Sequence, residues 1–377
     1  MSAPVVPQNR ITVIDSLRGF ALLGIIVLHA ILPGIWSFPK NPAEGGDLVM
    51  KLNHVLGIVT SEAMSGKFST IFNLLFGVSF YIILSRAQEK GVDFRWRFEW
   101  RLIILAIIGY FHEIFFPVEA LLSYGLIGLP LVLFWKMKKK WILTLAIFCL
   151  LLHPFTQDIV NLLSVGENPD ISAGQESFNV NSVITMFQMF QYNIAQLKNP
   201  FAVFFDAERF FKIFGLFLLG FYIASIGFFN NIQDKKKLYW FIMIVSFVLY
   251  LFFRLGAHYL SDKLFVYASF CLSATYISGF ILLYTTQAKK ILAYMEPYGK
   301  LGLTNYIMQS VFGLLVFAPF FLGISHLNTA GNILVALLIY SFQIILSIWW
   351  LRYFTYGPFE WLWRSATYMK KVPFRKK

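Results

Sequence analysis

The chain has 377 residues, of which 58% are hydrophobic and only 14% charged, with a net charge of +13 and a mean hydropathy of +0.66. A water-soluble domain could not hide that much apolar surface. The basic balance does not argue for a nucleic-acid partner, because topogenic signals and attraction to anionic lipid headgroups account for it.

Unbroken apolar stretches of about 18 or more residues recur along the chain, each able to cross the ~30 Å hydrocarbon core as a helix. No stretch alternates with the period of two that a barrel strand requires, so the predicted fold class is all-α, a polytopic transmembrane helical bundle. In chain order the ten predicted spans are 17–36, 68–84, 102–116, 120–135, 141–155, 210–228, 238–253, 264–284, 303–322 and 333–351. The third and fourth are short and joined through Pro117, which predicts a helical hairpin.

Orientation follows from the Lys and Arg residues, which favour cytoplasmic loops. With both termini inside, 24 of the 32 basic residues fall on the inner side and 8 on the outer, while the acids run the other way, 12 outside and 7 inside. The whole chain, 1–377, reads as a single membrane-embedded domain in a bacterial cytoplasmic membrane, with a basic cytoplasmic tail at 352–377. The first apolar segment has no ordinary small-residue cleavage site and reads as a retained helix.

Two outer segments, 37–67 and 154–209, are long enough to fold over the bundle as a lid or as interfacial helices. The first carries an amphipathic piece around residues 52–59, the second a patterned run through Ile184, Phe187, Phe190 and Ile194. Cys149 and Cys271 lie inside apolar spans and read as packing residues. No metal-ligand, Walker or dinucleotide motif appears, so no metal site and no resident cofactor are expected.

Ionisable residues within spans are costly, and they mark where chemistry would lie. The first group is Asp15, Arg18 and His29. Eleven residues separate Arg18 from His29, which returns the helix to within roughly 20° of the same azimuth after a rise of about 16 Å. Arg18 would then hold a phosphate-bearing ligand at the inner end and His29 would serve as a base deeper in. Equally, Arg18 could pair with Asp15 and reach to the headgroups, leaving His29 a satisfied core residue.

The second group lies on the hairpin. Arg101 and His112 repeat the eleven-residue spacing, and Glu119 follows seven residues later, where a carboxylate can orient an imidazole. A polar clasp is the structural alternative. The third group is carboxyl-terminal: Asn305 and Gln309 place amides inside a membrane helix, either tying helices together or lining a cavity. Together with Lys67 they are the candidate substrate-binding residues. Glu360 and Arg364, four apart, suggest a local ion pair, with Trp361 and Trp363 as interface anchors.

At these positions the chain resembles the YeiB-like bacterial integral-membrane proteins, a family with a domain of unknown function. The matching pieces are IDSLRGFALLGI at 14–25, GKFSTIFNLLFG at 66–77, GYFHEIFFPVEALLSYG at 109–125, GKLGLTNYIMQS at 299–310 and GPFEWLWR at 357–364. The resemblance extends to the wider transmembrane acyltransferase group, which includes lysosomal heparan glucosaminide acetyltransferase and bacterial O-acyltransferases of cell-surface sugars. Those O-acyltransferases carry an arginine, ten residues and a histidine in their first helix, a pattern that Arg18 and His29 match. YeiB-like proteins more usually have an asparagine at position 29 and an aspartate at position 119, so Glu119 keeps the carboxylate with an added methylene.

What the resemblance implies is transfer of an acyl group from cytoplasmic acyl-CoA, a co-substrate and not a bound cofactor, to a hydroxyl or amine on a glycan or lipid-linked acceptor. Asp15, Arg18 and Arg101 would form the donor site, and His29, His112 and Glu119 the catalytic group. The rival classes are a transporter of a small or lipid-linked solute and a non-catalytic membrane subunit. The residues leave all three open.

Overall fold

A computed structural model describes residues 11–31, 47–116, 120–163, 191, 194, 206–317, 321–322 and 327–376. Among these residues every regular element is helical, and the single β feature is an isolated bridge between Phe354 and Arg375. In chain order the helices are α1 (Thr12–Ile31), α2 (Asp47–Met64), α3 (Lys67–Glu89), α4 (Arg95–Phe115), α5 (Leu121–Gly128), α6 (Lys139–Leu152) and α7 (Thr156–Leu163). They continue with α8 (Ala207–Ser225), α9 (Lys236–Tyr259), α10 (Leu264–Tyr284), α11 (Lys289–Leu292), α12 (Met295–Lys300), α13 (Gly302–Phe317), α14 (Thr329–Tyr353) and α15 (Pro358–Tyr368).

This is a helical membrane protein. Among the described residues six helical stretches are long and apolar enough to cross a bilayer: α1, the α2–α3 run, α6 with α7, α9, α10 and α14. The other predicted spans coincide with α4, with α5 and its short 3₁₀ extension, with α8 and with α13. α4 carries Glu99, Arg101 and Glu113 and α8 carries Glu208, Arg209 and Lys212, which lowers their apolar character at the ends. α4 and α5 pack against each other as the predicted hairpin, although Glu119 and the rest of 117–119 fall outside the described residues. So does most of the second outer segment, whereas the amphipathic piece at 52–59 is the middle of α2.

α1 begins five residues before the predicted span. Asp15 falls outside the predicted span and Arg18 just inside it, yet the two neutralise each other across one turn at 2.6 Å, as one of the two readings of Arg18 has it, and Asp15 so enters the helix. α1 is the central helix, touching α2, α3, α10, α12, α13 and α14. Its approach to α12 is close enough to exclude side chains: a Cβ on Gly299 would lie 1.8 Å from the Asp15 carbonyl oxygen, and one on Gly19 would lie 2.5 Å from that of Met295. Membrane helices pack through such small residues because no hydrophobic force joins them in lipid.

The apolar residues that stay outside are equally informative. Phe241, Val248, Phe252 and Leu255 on α9 and Leu334, Leu338, Phe342 and Ile345 on α14 are exposed, while Asp15, Lys67, His29, His112, Asn305 and Gln309 are buried. Hydrocarbon around the bundle explains this distribution, and water does not.

The α1–α12 contact predicts a sharp contrast between two glycines. Gly299→Val should destabilise the purified protein by about 3 kcal/mol or more, since backbone cannot move aside as a side chain can. Gly302→Ala, which meets nothing within 4 Å, should change stability by no more than about 0.5 kcal/mol. Thermal unfolding in detergent measures both.

Candidate functional site

The two arginines placed in separate groups by the sequence meet in one cavity of about 300 Å³. α1 contributes Asp15 and Arg18, α3 Ser79 and Arg86, α4 Arg101, α12 Lys300, and α15 Glu360, Trp363, Arg364 and Tyr368. Five basic side chains against two carboxylates make this end cationic. Phe72, Phe76, Phe80, Phe98, Tyr124 and Tyr306 wall the rest. Along α3 the lining runs from Arg86 to Phe72, fourteen residues, or about 20 Å of helix. The cavity is therefore long, charged at one end and aromatic along its length.

Asp15, Arg18, Arg101, Glu360 and Arg364 at the basic end are each held by a neighbour. The Arg18 guanidinium donates to Asp15 at 2.6 Å and to the Ser79 hydroxyl at 2.7 Å. Arg101 stacks on the Trp363 ring at 3.5 Å, and the Trp363 indole N–H donates to the Arg101 carbonyl at 2.7 Å. A planar guanidinium on an aromatic face is fixed in direction without losing its donors, which lysine would not reproduce.

α15 forms one wall of this end, and its attachment differs from expectation. Glu360 does not pair with Arg364. Its carboxylate accepts from the Thr304 amide at 2.9 Å and hydroxyl at 2.5 Å, so it caps the start of α13. Arg364 lies over the Tyr356 ring instead, at 4.6 Å, and the Trp361 indole donates to the Val372 carbonyl at 2.8 Å. The helix is pinned to the bundle through carboxylate, indole and cation contacts that run between elements, which four-residue spacing within α15 does not reveal.

The histidines lie beyond the cavity. His29 packs on the Phe116 ring at 5.3 Å and His112 on the same ring at 5.8 Å, both imidazoles being buried. Neither lines the cavity. The link is Tyr306, which lines it and lies 5.7 Å from the His112 ring. Shared azimuth on α1 thus places Arg18 and His29 on one stripe, but Arg18 lines the cavity whereas His29 packs on Phe116 outside it, with the aromatic Tyr306 between the cavity and His112.

The remaining candidates sit elsewhere. Asn305 donates to the Tyr298 carbonyl and the Ser347 hydroxyl, both at 2.9 Å. Gln309 donates to the Leu22 carbonyl at 3.1 Å and the Tyr298 hydroxyl at 2.7 Å. These amides tie α1, α12, α13 and α14 together and do not reach the cavity. Lys67 is buried at the far end of α3, 4.7 Å from the Phe265 ring centroid. Sequence reasoning missed Arg86, Lys300, Arg364 and Tyr306 as cavity residues. Only the excess of cations on predicted inner segments pointed to the first three.

A family model described as "Protein of unknown function (DUF418)" matches residues 223–370. An uncharacterized 39.9 kDa protein in an amylase 3′ region of Bacillus acidopullulyticus is 31% identical over 376 residues, covering 98% of this chain and 97% of the relative. The chain belongs to this YeiB-like family. The uncharacterized protein YxaH of Bacillus subtilis (strain 168) is 27% identical, with 99% of this chain and 98% of the relative covered. The uncharacterized protein YeiB of Escherichia coli (strain K12) is 26% identical, with 96% and 97% covered. No solved structure matches the chain. The matched segment supplies Lys300, Tyr306, Glu360 and Trp363 to the cavity, whereas Arg18, Arg86 and Arg101 precede it.

Burial raises the Glu360 carboxyl above its ordinary value of 4.5, with the Thr304 hydrogen bonds pulling partly the other way. A carboxyl raised in the folded state contributes stability in full below about pH 4.5 and loses it as pH rises through the folded value. Glu360→Gln removes this titration. The melting temperature of the variant relative to wild type should therefore climb as pH rises from about 4.5 to 7, and a difference independent of pH would assign the effect to other groups.

Proposed function

We propose that this protein is a transmembrane acyltransferase, moving an acyl group from acyl-CoA at its basic face to a hydroxyl or amine of an outer-face or lipid-linked acceptor. The observation that carries the reading is the cavity itself: guanidinium groups at one end, an aromatic passage of about 20 Å, and Tyr306 against His112 at the other. Arg18, Arg86, Arg101, Lys300 and Arg364 suit the phosphates of the donor, Arg in particular offering bidentate hydrogen bonds. The flexible arm of the donor would lie along the aromatic walls.

In the transfer step His112 or His29 takes the proton of the acceptor as its oxygen or nitrogen attacks the thioester carbonyl. The carbon–sulfur bond breaks, and the thiolate of CoA leaves and recovers a proton. Glu119 would orient His112. Because an aromatic layer separates the imidazoles from the cavity, Tyr306 must shift when the donor binds, which ties the chemistry to a conformational step. Ten spans with both termini in the cytoplasm of a bacterial cell complete this reading, and the 24 to 8 division of basic residues supports it.

The same aromatic barrier favours one other reading, a carrier with an inner compartment closed from an outer histidine compartment. Purified protein in liposomes separates the two, since thioester cleavage belongs to the enzyme and proton-linked solute flux to the carrier.

Single replacement of His29 and His112 by Ala should show which imidazole is the base. Acyl-CoA-dependent labelling of membrane glycans and lipids should fall about 10²-fold or more in the variant lacking it. Arg101→Ala should raise the apparent KM for the donor with a smaller effect on turnover. Unchanged labelling in both histidine variants would contradict the proposal.

A further inference from the structure

Lys67 opens α3 directly after Gly66, whose φ of 76° turns the chain out of α2. Helical side chains lean toward the amino end, so the ammonium reaches past the start of α3 toward α9 and α10. It is completely buried, and among the described residues its Nζ has no hydrogen-bond partner. The Phe265 ring, 4.7 Å away, is the contact it makes.

The nearby carboxylate is already engaged. Glu62 accepts two hydrogen bonds from Arg254, at 2.7 and 3.0 Å, and the Arg254 guanidinium lies 5.7 Å from the same Phe265 ring. Two cations therefore lie against one aromatic ring, and the carboxylate beside them is paired with Arg254. A ring face is a weak substitute for an acceptor, and an ammonium with three donors is costly to bury against it. α3 adds its own positive end, which Gly66 leaves without a side-chain cap.

We infer that Lys67, Arg254 and the start of α3 form a second anion site, one that takes a compact oxyanion, phosphate or carboxylate, presented by a lipid headgroup or by a soluble molecule. The Glu62–Arg254 pair is about one-third exposed, whereas Lys67 is buried. An incoming oxyanion replaces Glu62 on Arg254 and supplies the acceptor that Lys67 lacks among these residues. Nineteen residues of α3 separate Lys67 from Arg86, about 28 Å of helix, so the site lies on the opposite side of the bundle from the basic end of the cavity. It goes beyond the acyl-transfer reading and does not depend on it.

The test uses full-length protein in phosphatidylcholine nanodiscs, titrated with inorganic phosphate or acetate, and the same protein in nanodiscs containing phosphatidylglycerol. The wild-type melting temperature should rise with at least one of these. A response to phosphatidylglycerol alone assigns the lipid, and one to phosphate or acetate assigns a soluble anion. Lys67→Met should abolish the rise, and in phosphatidylcholine without added anion it should melt at or above wild type, because it removes an unmatched buried charge. Glu62→Gln, lacking the competing carboxylate, should respond at about tenfold lower anion concentration. Arg101→Ala, at the other cavity, should keep the full response, which separates this site from the donor reading. Absence of any wild-type response, its persistence in Lys67→Met, or a Lys67→Met protein that melts well below wild type would overturn the inference.

Discussion

The close contact of α1 with α12 is the constraint on which the rest of the arrangement depends. With Gly299 seated against the Asp15 carbonyl and Gly19 against Met295, α1 has little freedom to rotate or slide. That fixes Arg18 against Ser79 and brings Lys300 into the same cavity. The Tyr340 hydroxyl, donating to the Gly19 carbonyl at 3.0 Å, locks α14 to the same turn. A larger residue at either glycine would separate the helices whose side chains form the basic end.

Around that centre the protein inverts the usual distribution of polarity. Amides and hydroxyls of Tyr298, Asn305, Gln309, Gln343 and Ser347 form a buried hydrogen-bonded network, while aromatic and aliphatic residues face outward. In a bilayer such a network supplies directional contacts that apolar packing between helices cannot. α15 uses the same means at the basic end of the cavity, with Glu360 on Thr304 and Trp363 on Arg101. The cationic end is thus built from segments far apart in the chain, and Arg18, Arg101 and Arg364 are each held there by an anionic or planar neighbour.

Helix existence was legible because hydrocarbon demands long apolar runs, and the α4–α5 hairpin because two short apolar spans follow one another in the sequence with Pro117 between them. α1 starts five residues before the predicted span because Asp15 pairs with Arg18 one turn away, the pairing that the sequence offered as one of two readings of Arg18. The eleven-residue spacing puts Arg18 and His29 on one stripe of α1 and Arg101 and His112 on one stripe of α4, but it says nothing about what fills the space between the members of each pair. Phe116 closes α4 and Tyr306 comes from α13, so their packing against His29 and His112 could not be read from the spacing along α1. The roles of Arg86, Lys300 and Arg364 depend on three further elements meeting, and Glu360 was assigned a local partner because its true one is 56 residues away.

The central claim is that the basic end of the cavity receives a polyanionic donor. Equilibrium binding of CoA to nanodisc-embedded protein, measured across a range of salt concentrations, tests it most directly. The account predicts binding that weakens steeply with salt and falls about tenfold or more when Arg101 or Arg364 is replaced by Ala. CoA that fails to bind, or that binds equally to wild type and both variants, would contradict it.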